Sequence, residues 1–180
     1  MSIFESGVSK YRFGRMCLRK EHTRRRYPSI AWDRLDDRLV QFHPRLRRIL
    51  DDPKYCSCYK SALHKKVRKH GRKVLSKNIL HGTGYCGLRG HVILSKHVVR
   101  HFARDIDSLA GTDSLASKYG TVVYAQEVLV PELLEMLVQE DMGVDAKRAR
   151  QILKESNTIG DLLNHLNHHQ ISLSESQACI

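Results

Sequence analysis

The sequence predicts an all-α fold, arranged as a single multi-helix domain with a basic N-terminal arm. Apolar residues recur at helical spacing in one segment after another. Outside the ambiguous "TVVY" at 121–124, no segment alternates apolar and polar residues as a strand does. The 180 residues, 41% of them hydrophobic, are enough to bury one core. We predict the arm over residues 1–28, the helical domain over 29–169 and a polar tail over 170–180.

The N-terminal arm is predicted to be extended. Its run "RKEHTRRRYP" has no apolar periodicity, and Pro28 pushes Tyr27 out of the helical region. The next segment, "SIAWDRLDDRLVQF", has apolar residues at helical spacing, with Ser29 as its predicted N-terminal cap. Pro44 ends that helix and occupies the tolerated first turn of a short one, "PRLRRIL".

The middle of the chain predicts a basic amphipathic helix, a turn and a buried helix. In "YCSCYKSALHKKVRKHGRKVLSKNIL", a stripe of apolar residues is surrounded by lysines and arginines; the stripe is Tyr55, Tyr59, Leu63 and Val67. The four glycines of "HGTGYCGLRG" indicate a turn. The apolar spacing of "HVILSKHVVRHFARDIDSLA" is typical of a well-buried helix.

The C-terminal part contains a proline, Pro131, that either begins a helix or lies within one. The segment "TDSLASKYG" predicts a short capped helix, after which "TVVYAQEVLV" runs into Pro131. An interior proline costs about 3 kcal/mol, so we predict that one helix ends near Val130 and another begins at Pro131. A kinked continuous helix is the alternative. Asp145 is predicted to cap "AKRARQILKES", and "TIGDLLNHLNHH" completes the ordered part.

Charge is distributed unevenly along the chain. Residues 1–100 hold 25 Lys and Arg against 7 Asp and Glu, whereas residues 101–180 hold 6 against 12. A surface this basic attracts polyanions, so nucleic acid, or an acidic protein partner, is a candidate. The candidate contact residues are Arg24, Arg25, Arg26, Lys65, Lys66, Arg68, Lys69, Arg72 and Lys73. Alternatively, the basic half neutralises the acidic half of the same molecule or of a neighbour; the oligomeric state stays open.

Compartment is predicted from features that the sequence lacks. No apolar run approaches the roughly 20 residues of a membrane helix, and "MSIFESGVSKYRFGR" lacks the apolar core of a signal peptide. We therefore expect a soluble intracellular protein without membrane contact. Five cysteines without an export signal favour reduced thiols over a disulfide framework.

The stretch "EVLVPELLEMLVQEDM" could be a catalytic acidic cluster or a helix boundary. Helical spacing gives it a buried stripe at Leu133, Leu134, Leu137 and Val138, which turns Glu132, Glu135 and Gln139 toward other faces. Glu132 then lies in a first helical turn, where the helix dipole stabilises an acid. We predict a structural role and no catalytic residues; an enzyme acting through Glu132 or Asp141 is the alternative.

The turn "GVD" follows that helix. Arg148 and Arg150, in the next helix, are predicted to pair with Glu140 or Asp141 across this turn. Surface pairs of this kind stabilise a fold only slightly.

Metal and phosphate sites are weakly indicated. His97 and His101 stand four apart, but "HVVRH" lacks the glutamate of a zinc-protease motif, so we predict a pair on a partly exposed helical face. A zinc site could combine Cys56 and Cys58 with Cys17, His22 and Cys86, yet the usual two-residue gap between ligands is absent. The loop "GTGYCGLRG" lacks the Lys-Ser/Thr ending of a phosphate loop. We predict a tight turn, no metal and no cofactor.

Four motifs together carry a resemblance: "YPSIAWDRLDDRL", "YCGLRG", "VLVPELLEMLVQEDMGVDAKRARQILKES" and "IGDLL". In this order they resemble the fungal restriction of telomere capping protein 4 domain, over roughly residues 15–165. The signature residues are Pro131, Glu132, Glu140, Asp141, Met142, Ala149, Arg150, Glu155, Ser156 and Gly160. The chain departs from the family at Tyr85-Cys86, where members often carry an aromatic pair, and it lacks their cysteine-rich upstream sequence.

The resemblance implies an intracellular protein of nucleus and cytoplasm, genetically connected with telomere capping, with no established activity or catalytic residues. We therefore predict a non-enzymatic interaction module with an unidentified protein partner, linked to telomere capping or to chromatin. Direct nucleic-acid binding by the basic half is the first alternative, and an uncharacterised enzyme is the second.

Overall fold

The computed structural model describes residues 14, 16–17, 19–52, 54–55, 57–70 and 83–163. None of these residues is in a strand, which confirms the predicted all-α class. The α-helices are α1 (Leu35–Leu39), α2 (His43–Asp51), α3 (Cys58–His70), α4 (Gly87–Leu109), α5 (Ser114–Tyr124), α6 (Val130–Met142) and α7 (Ala146–Leu163). Short 3-10 helices cover Val40–Phe42 and Gly84–Cys86, and a π-helix covers Ala125–Leu129.

One core runs through the described helices, and α4 and α6 form much of it. The 23-residue α4 buries its apolar face as predicted, and its buried apolar residues are Leu94, Val98, Phe102 and Ile106. Helix α6 is buried at Val130 and at every position from 132 to 138, including two glutamates. Burial on all sides marks α6 as a central helix, with other elements packed around it. No helix in the described ranges combines the length and the apolar character that a membrane crossing requires.

Pro131 does not start a new helix, which corrects the predicted boundary. The π-helix Ala125–Leu129 joins α5 directly to α6, so the continuous alternative is the correct one. The Val130 N–H bonds to the carbonyl of Ala125, five residues earlier. This wider turn displaces the carbonyl against which a proline ring would clash in a regular α-helix. Consequently Glu132 does not lie at a free helix N-terminus.

The N-terminal part also differs from the prediction. Residues 19–24 are helical, where an extended arm was expected. Tyr27 is buried and stacks on Tyr85, with ring centroids 5.7 Å apart. Ser29 is not the N-cap of the predicted helix, because residues 27–31 form no regular secondary structure and α1 begins only at Leu35. The domain boundaries at 28 and 169 stay predictions.

The predicted cap Asp145 is confirmed, and the structure identifies Asp113 as the cap of the helix predicted in "TDSLASKYG". The Asp113 side chain accepts hydrogen bonds from the backbone N–H groups of Leu115 and Ala116, and Asp145 accepts one from Arg148. Gly120, with φ +76°, interrupts the regular helix where "TDSLASKYG" was predicted to end. Helix α7 then continues without a break through "TIGDLL" to Leu163.

The glycine turn at 83–87 packs tightly against α7. Thr83, Gly84 and Gly87 are buried, and Gly84 and Gly87 have φ values of +57° and +59°. A β-carbon added to Gly160 on α7 would lie 1.8 Å from the Gly84 carbonyl oxygen. The backbone of this turn is thus packed against α7.

Candidate functional site

Ion pairs connect the basic half of the chain to the acidic half. They are Arg25–Glu155, Arg38–Glu140, Arg38–Asp141, Arg45–Glu135, Arg47–Asp105, Lys60–Asp113 and Lys66–Glu127. The distances run up to 3.9 Å, as between the Lys66 Nζ and the Glu127 carboxylate. Internal neutralisation, one of the two interpretations of the charge asymmetry, therefore applies to six of the 19 described Lys and Arg residues in the basic half.

Glu132 is buried and holds the start of α3. Its Oε1 accepts a hydrogen bond of 2.7 Å from the Ser57 hydroxyl, whose oxygen accepts one of 3.0 Å from the Lys60 backbone N–H. Ser57 thus caps α3 and anchors it to α6. Burial raises the pKa of Glu132, and the Ser57 hydrogen bond partly opposes that shift. A serine directly before a helical run was a signal in the sequence that our prediction missed.

Glu135 lies one turn further along α6 and is only 1% exposed. Its Oε2 accepts a hydrogen bond of 2.9 Å from the Arg150 guanidinium on α7, and Arg45 on α2 lies 3.9 Å from Oε1. The prediction that Glu132 and Glu135 face away from the core is wrong. It assumed a helix with one covered face, whereas neighbouring elements cover α6 on all sides.

Glu140 and Asp141 bind the N-terminal elements and not the following helix. The Gln41 side-chain amide donates a hydrogen bond of 2.9 Å to Glu140, and Arg38 bonds to both carboxylates. The Tyr85 hydroxyl donates one of 2.7 Å to Asp141. The predicted pairing with Arg148 and Arg150 is therefore wrong. Those arginines pair instead with Glu155 and Glu135, because α7 extends away from the "GVD" turn along α6.

The remaining signature residues also serve packing. Ala149 is fully buried, and the Ser156 hydroxyl donates a hydrogen bond of 2.7 Å to the Ile152 carbonyl within α7. Glu155 accepts a hydrogen bond from Gln151 at 2.7 Å. Pro131 and Met142 are half-buried, near the start and at the end of α6. Gly160 allows the close approach of α7 to the glycine turn, whereas these bonds of Glu155 and Ser156 lie within α7.

A second polar cluster joins α1, α2 and α4. His97 is buried, its Nδ1 lies 2.6 Å from Asp36 Oδ1, and its Nε2 lies 2.8 Å from His43 Nε2. The ring of His101 stands 4.6 Å from that of His97. The prediction of a partly exposed histidine pair is wrong for His97, because α1 and α2 cover that face of α4. When neutral, His97 donates from Nδ1 to Asp36 and accepts at Nε2 from His43.

This cluster predicts acid-sensitive stability. Burial lowers the pKa of both His97 and His43. The unfolded chain then binds more protons, so the free energy of unfolding should fall as the pH drops below about 6.5. The slope should be up to about 1.4 kcal/mol per pH unit for each histidine kept neutral. Urea denaturation at a series of pH values measures it.

The control compares two substitutions. His97→Gln should reduce the slope of the free energy of unfolding against pH at acid pH. His64→Gln, at an exposed position of α3, should leave that slope unchanged. An unchanged slope in the His97→Gln protein would show that His97 does not carry the effect.

Three of the predicted nucleic-acid residues have a carboxylate neighbour in the described structure. Arg24 and Arg25 bond to Glu21, at 2.7 Å and 2.6 Å, and Lys66 approaches Glu127. Arg72 and Lys73 lie outside the described residues. Of the nine predicted contact residues, four are described as exposed and have no carboxylate within ion-pair distance among the described residues: Arg26, Lys65, Arg68 and Lys69. Three of them lie on α3.

The cysteines show no shared site where they are described. Cys86 is buried in the core, whereas Cys17 and Cys58 are exposed. His22 packs edge-on against Tyr27, and Cys56 lies outside the described residues. Within those residues, no group of three or more His, Cys, Asp or Glu side chains has a geometry that could hold a metal ion.

Comparison with known families identifies the chain. The family model described as RTC4-like domain matches residues 52–165, which is more than half of the sequence. The chain belongs to the RTC4-like family. The match contains α3 to α7 and every signature residue from Pro131 to Gly160. No curated protein and no solved structure matches it.

RTC4-like domains are not a known enzyme family, and the name points to a role related to telomere capping. In this RTC4-like domain the signature acids Glu132, Glu140 and Asp141 bind Ser57, Gln41, Arg38 and Tyr85 inside the helical domain. The family resemblance found in the sequence therefore rests on residues that hold the helices together.

Proposed function

We propose that this RTC4-like domain is a non-enzymatic interaction module that acts in nucleus and cytoplasm, in a process linked to telomere capping or chromatin. One observation carries the proposal. Each acid that could have formed an active site on α6 has a protein partner and a packing role: Glu132 with Ser57, Glu135 with Arg150, and Asp141 with Tyr85. Acids that already form hydrogen bonds or ion pairs within the protein are poorly placed for general acid–base chemistry on a substrate.

Complementation tests the non-enzymatic role. In cells of the source organism with a weakened telomere cap, loss of the protein should change the amount of single-stranded telomeric DNA. Glu132→Gln should restore the wild-type amount, because the amide oxygen still accepts the Ser57 hydrogen bond while proton transfer by the carboxylate is abolished. Failure of this variant to complement, despite wild-type abundance, would favour the enzyme alternative.

Nucleic-acid binding is the second candidate, favoured by the exposed cations of α3. For a protein that contacts Z phosphates of duplex DNA, the logarithm of the binding constant falls with the logarithm of the salt concentration, with a slope near −0.9Z. If α3 binds DNA, the double substitution Lys65→Glu and Lys69→Glu should weaken binding and reduce the slope by about 2. Gel-shift titration at several salt concentrations measures both quantities.

The matched control changes two exposed lysines of α7, Lys147→Glu and Lys154→Glu. This double substitution changes the net charge by the same amount as the substitutions in α3, but the salt dependence of DNA binding should stay near the wild-type value. Absence of any shifted band for the wild-type protein at low salt removes the nucleic-acid candidate.

A further inference from the structure

A small cavity lies between α3 and the π-helix Ala125–Leu129. Its volume is about 60 Å³, the space that about two water molecules fill in the liquid. An aromatic ring or a nucleotide is too large for this volume, whereas the end of an unbranched aliphatic chain fits. The walls include Tyr59, Leu63 and Lys66 on α3, Gln126 and Glu127 on the π-helix, and Pro131.

Glu127 is the acid of this cavity. Its side chain is only 10% exposed, and it forms no hydrogen bond with any described residue. Its ion-pair partner, the Lys66 ammonium, lies 3.9 Å from Oε2, which is too far for a hydrogen bond. Burial raises the pKa of Glu127, and Lys66 only partly opposes that shift. The carboxylate can therefore still accept hydrogen bonds, and a positively charged donor suits it best.

The backbone next to Glu127 also lacks donors. The Val130 N–H bonds to the Ala125 carbonyl, and Pro131 has no N–H. The carbonyl of Gln126 thus loses both its α-helical donor at Val130 and its π-helical donor at Pro131. Side-chain and backbone acceptors that lack regular donors are therefore concentrated in the two π-helix residues that line the cavity.

The other described walls are compatible with an aliphatic cation. Leu63 and Pro131 are apolar, and Lys66 is the only cation among the described residues of the lining. The Lys66 side chain is 37% exposed, so it can rotate into solvent, and a pair this exposed is weak. A second ammonium group can therefore replace that of Lys66 beside Glu127.

From this arrangement we infer that the cavity binds the end of an aliphatic primary amine in its protonated form. The ammonium group, which has three N–H donors and no acceptor, donates to the Glu127 carboxylate. The methylene groups next to it contact Leu63 and Pro131. Two kinds of ligand have this chemistry: the lysine side chain of a partner protein and a free alkylamine. The inference goes beyond the proposed function, which does not involve Glu127.

Titration of n-butylamine into the full chain, followed by NMR of the backbone amides, tests the inference. We expect saturable shifts at residues 126–130 and a dissociation constant on the order of 1 mM, within the range for a ligand of about five non-hydrogen atoms. The uncharged 1-butanol should bind at least about tenfold more weakly, because it lacks the charge that pairs with Glu127. The absence of saturable shifts, or equal binding of the alcohol, overturns the inference.

Two substitutions assign the binding to this cavity. Glu127→Gln keeps the size of the side chain but removes its charge, and should weaken n-butylamine binding at least about tenfold. Lys66→Met removes the competing ammonium but keeps a long aliphatic chain, and should tighten binding severalfold. Thermal melting verifies that the variants fold.

Lys65→Met is the matched control for Lys66→Met. Lys65 is exposed on α3 and does not line the cavity, so this variant changes the net charge equally but should bind n-butylamine as the wild type does. Unchanged binding in the Glu127→Gln protein, or equal binding in the Lys66→Met and Lys65→Met proteins, contradicts the inference.

A short peptide with blocked termini and one lysine distinguishes the two kinds of ligand. If the peptide causes the same shifts as n-butylamine and competes with it, the site accepts the lysine side chain of a partner. If only n-butylamine binds, the site takes a free alkylamine. The complementation test changes Glu132 and leaves this cavity intact, so its result and the titration are independent.

Discussion

Gly160→Ala is expected to destabilise the protein by more than about 3 kcal/mol, the largest effect of any single methyl group that we predict. The new β-carbon would meet the Gly84 carbonyl oxygen at 1.8 Å and the Gly87 backbone nitrogen at 2.9 Å. Both contacts are with backbone, so no flexible side chain can move aside. Either α7 or the glycine turn must shift, and the buried Tyr85 and Cys86 would move with the turn. Urea denaturation of the two proteins measures the difference.

Gly111→Ala is the matched control. Gly111 lies in the loop after α4, and the nearest atom to an added β-carbon there is the Ser108 carbonyl oxygen at 3.9 Å, an ordinary contact distance. Its free energy of unfolding should stay within about 0.5 kcal/mol of the wild type. Equal effects at Gly160 and Gly111 would mean that the close approach of α7 to the turn does not exist in solution.

Glu135→Gln should be the second large effect, with a loss of about 2 to 3 kcal/mol. The substitution keeps the volume but removes the charge that pairs with Arg150. Leaving one member of a buried ion pair without its partner costs about 3 to 5 kcal/mol. The Arg150 side chain is 41% exposed and keeps part of its hydration, so we expect the smaller value. Chemical denaturation at neutral pH provides the measurement.

Glu132→Gln, one helical turn away, is the informative comparison. Burial raises the pKa of Glu132, which means that its charged form is disfavoured in the folded protein. Glutamine removes this buried charge and can still accept the Ser57 hydrogen bond, so the stability should change by no more than about 1 kcal/mol. If both substitutions destabilise equally, the assignment of Glu135 as the ion-paired acid is wrong.

Local sequence signals determined the elements that depend on a few adjacent residues. Apolar spacing located the buried helix that includes Leu94 and Phe102, and Asp145 marked the start of α7. These predictions hold because a cap or a helical stripe forms from groups within a few residues of each other. Ser57 carried the same kind of signal at the start of α3.

Pro131 shows where a local rule gave the wrong answer. The cost of proline in a regular α-helix is real, and it predicted a helix boundary. The π-helix just before it removes most of that cost, and its presence depends on how Ala125, Val128 and Leu129 pack into the core. Single-sequence propensities do not indicate such a turn.

By itself, therefore, the sequence determined that this protein is all-α, where several of its helices begin, and that it belongs to the RTC4-like family. Only the tertiary structure decided what the acids do. Glu132 and Glu135 are inside because elements surround α6 on every side, and the number of neighbours around a helix cannot be read from its own periodicity. Likewise, the pairing of Arg38 with Asp141, more than 100 residues away, depends on how the chain folds back on itself. Part of the charge asymmetry thus joins the two halves of the domain, because six cations of the basic half pair with acids of the acidic half in the described structure.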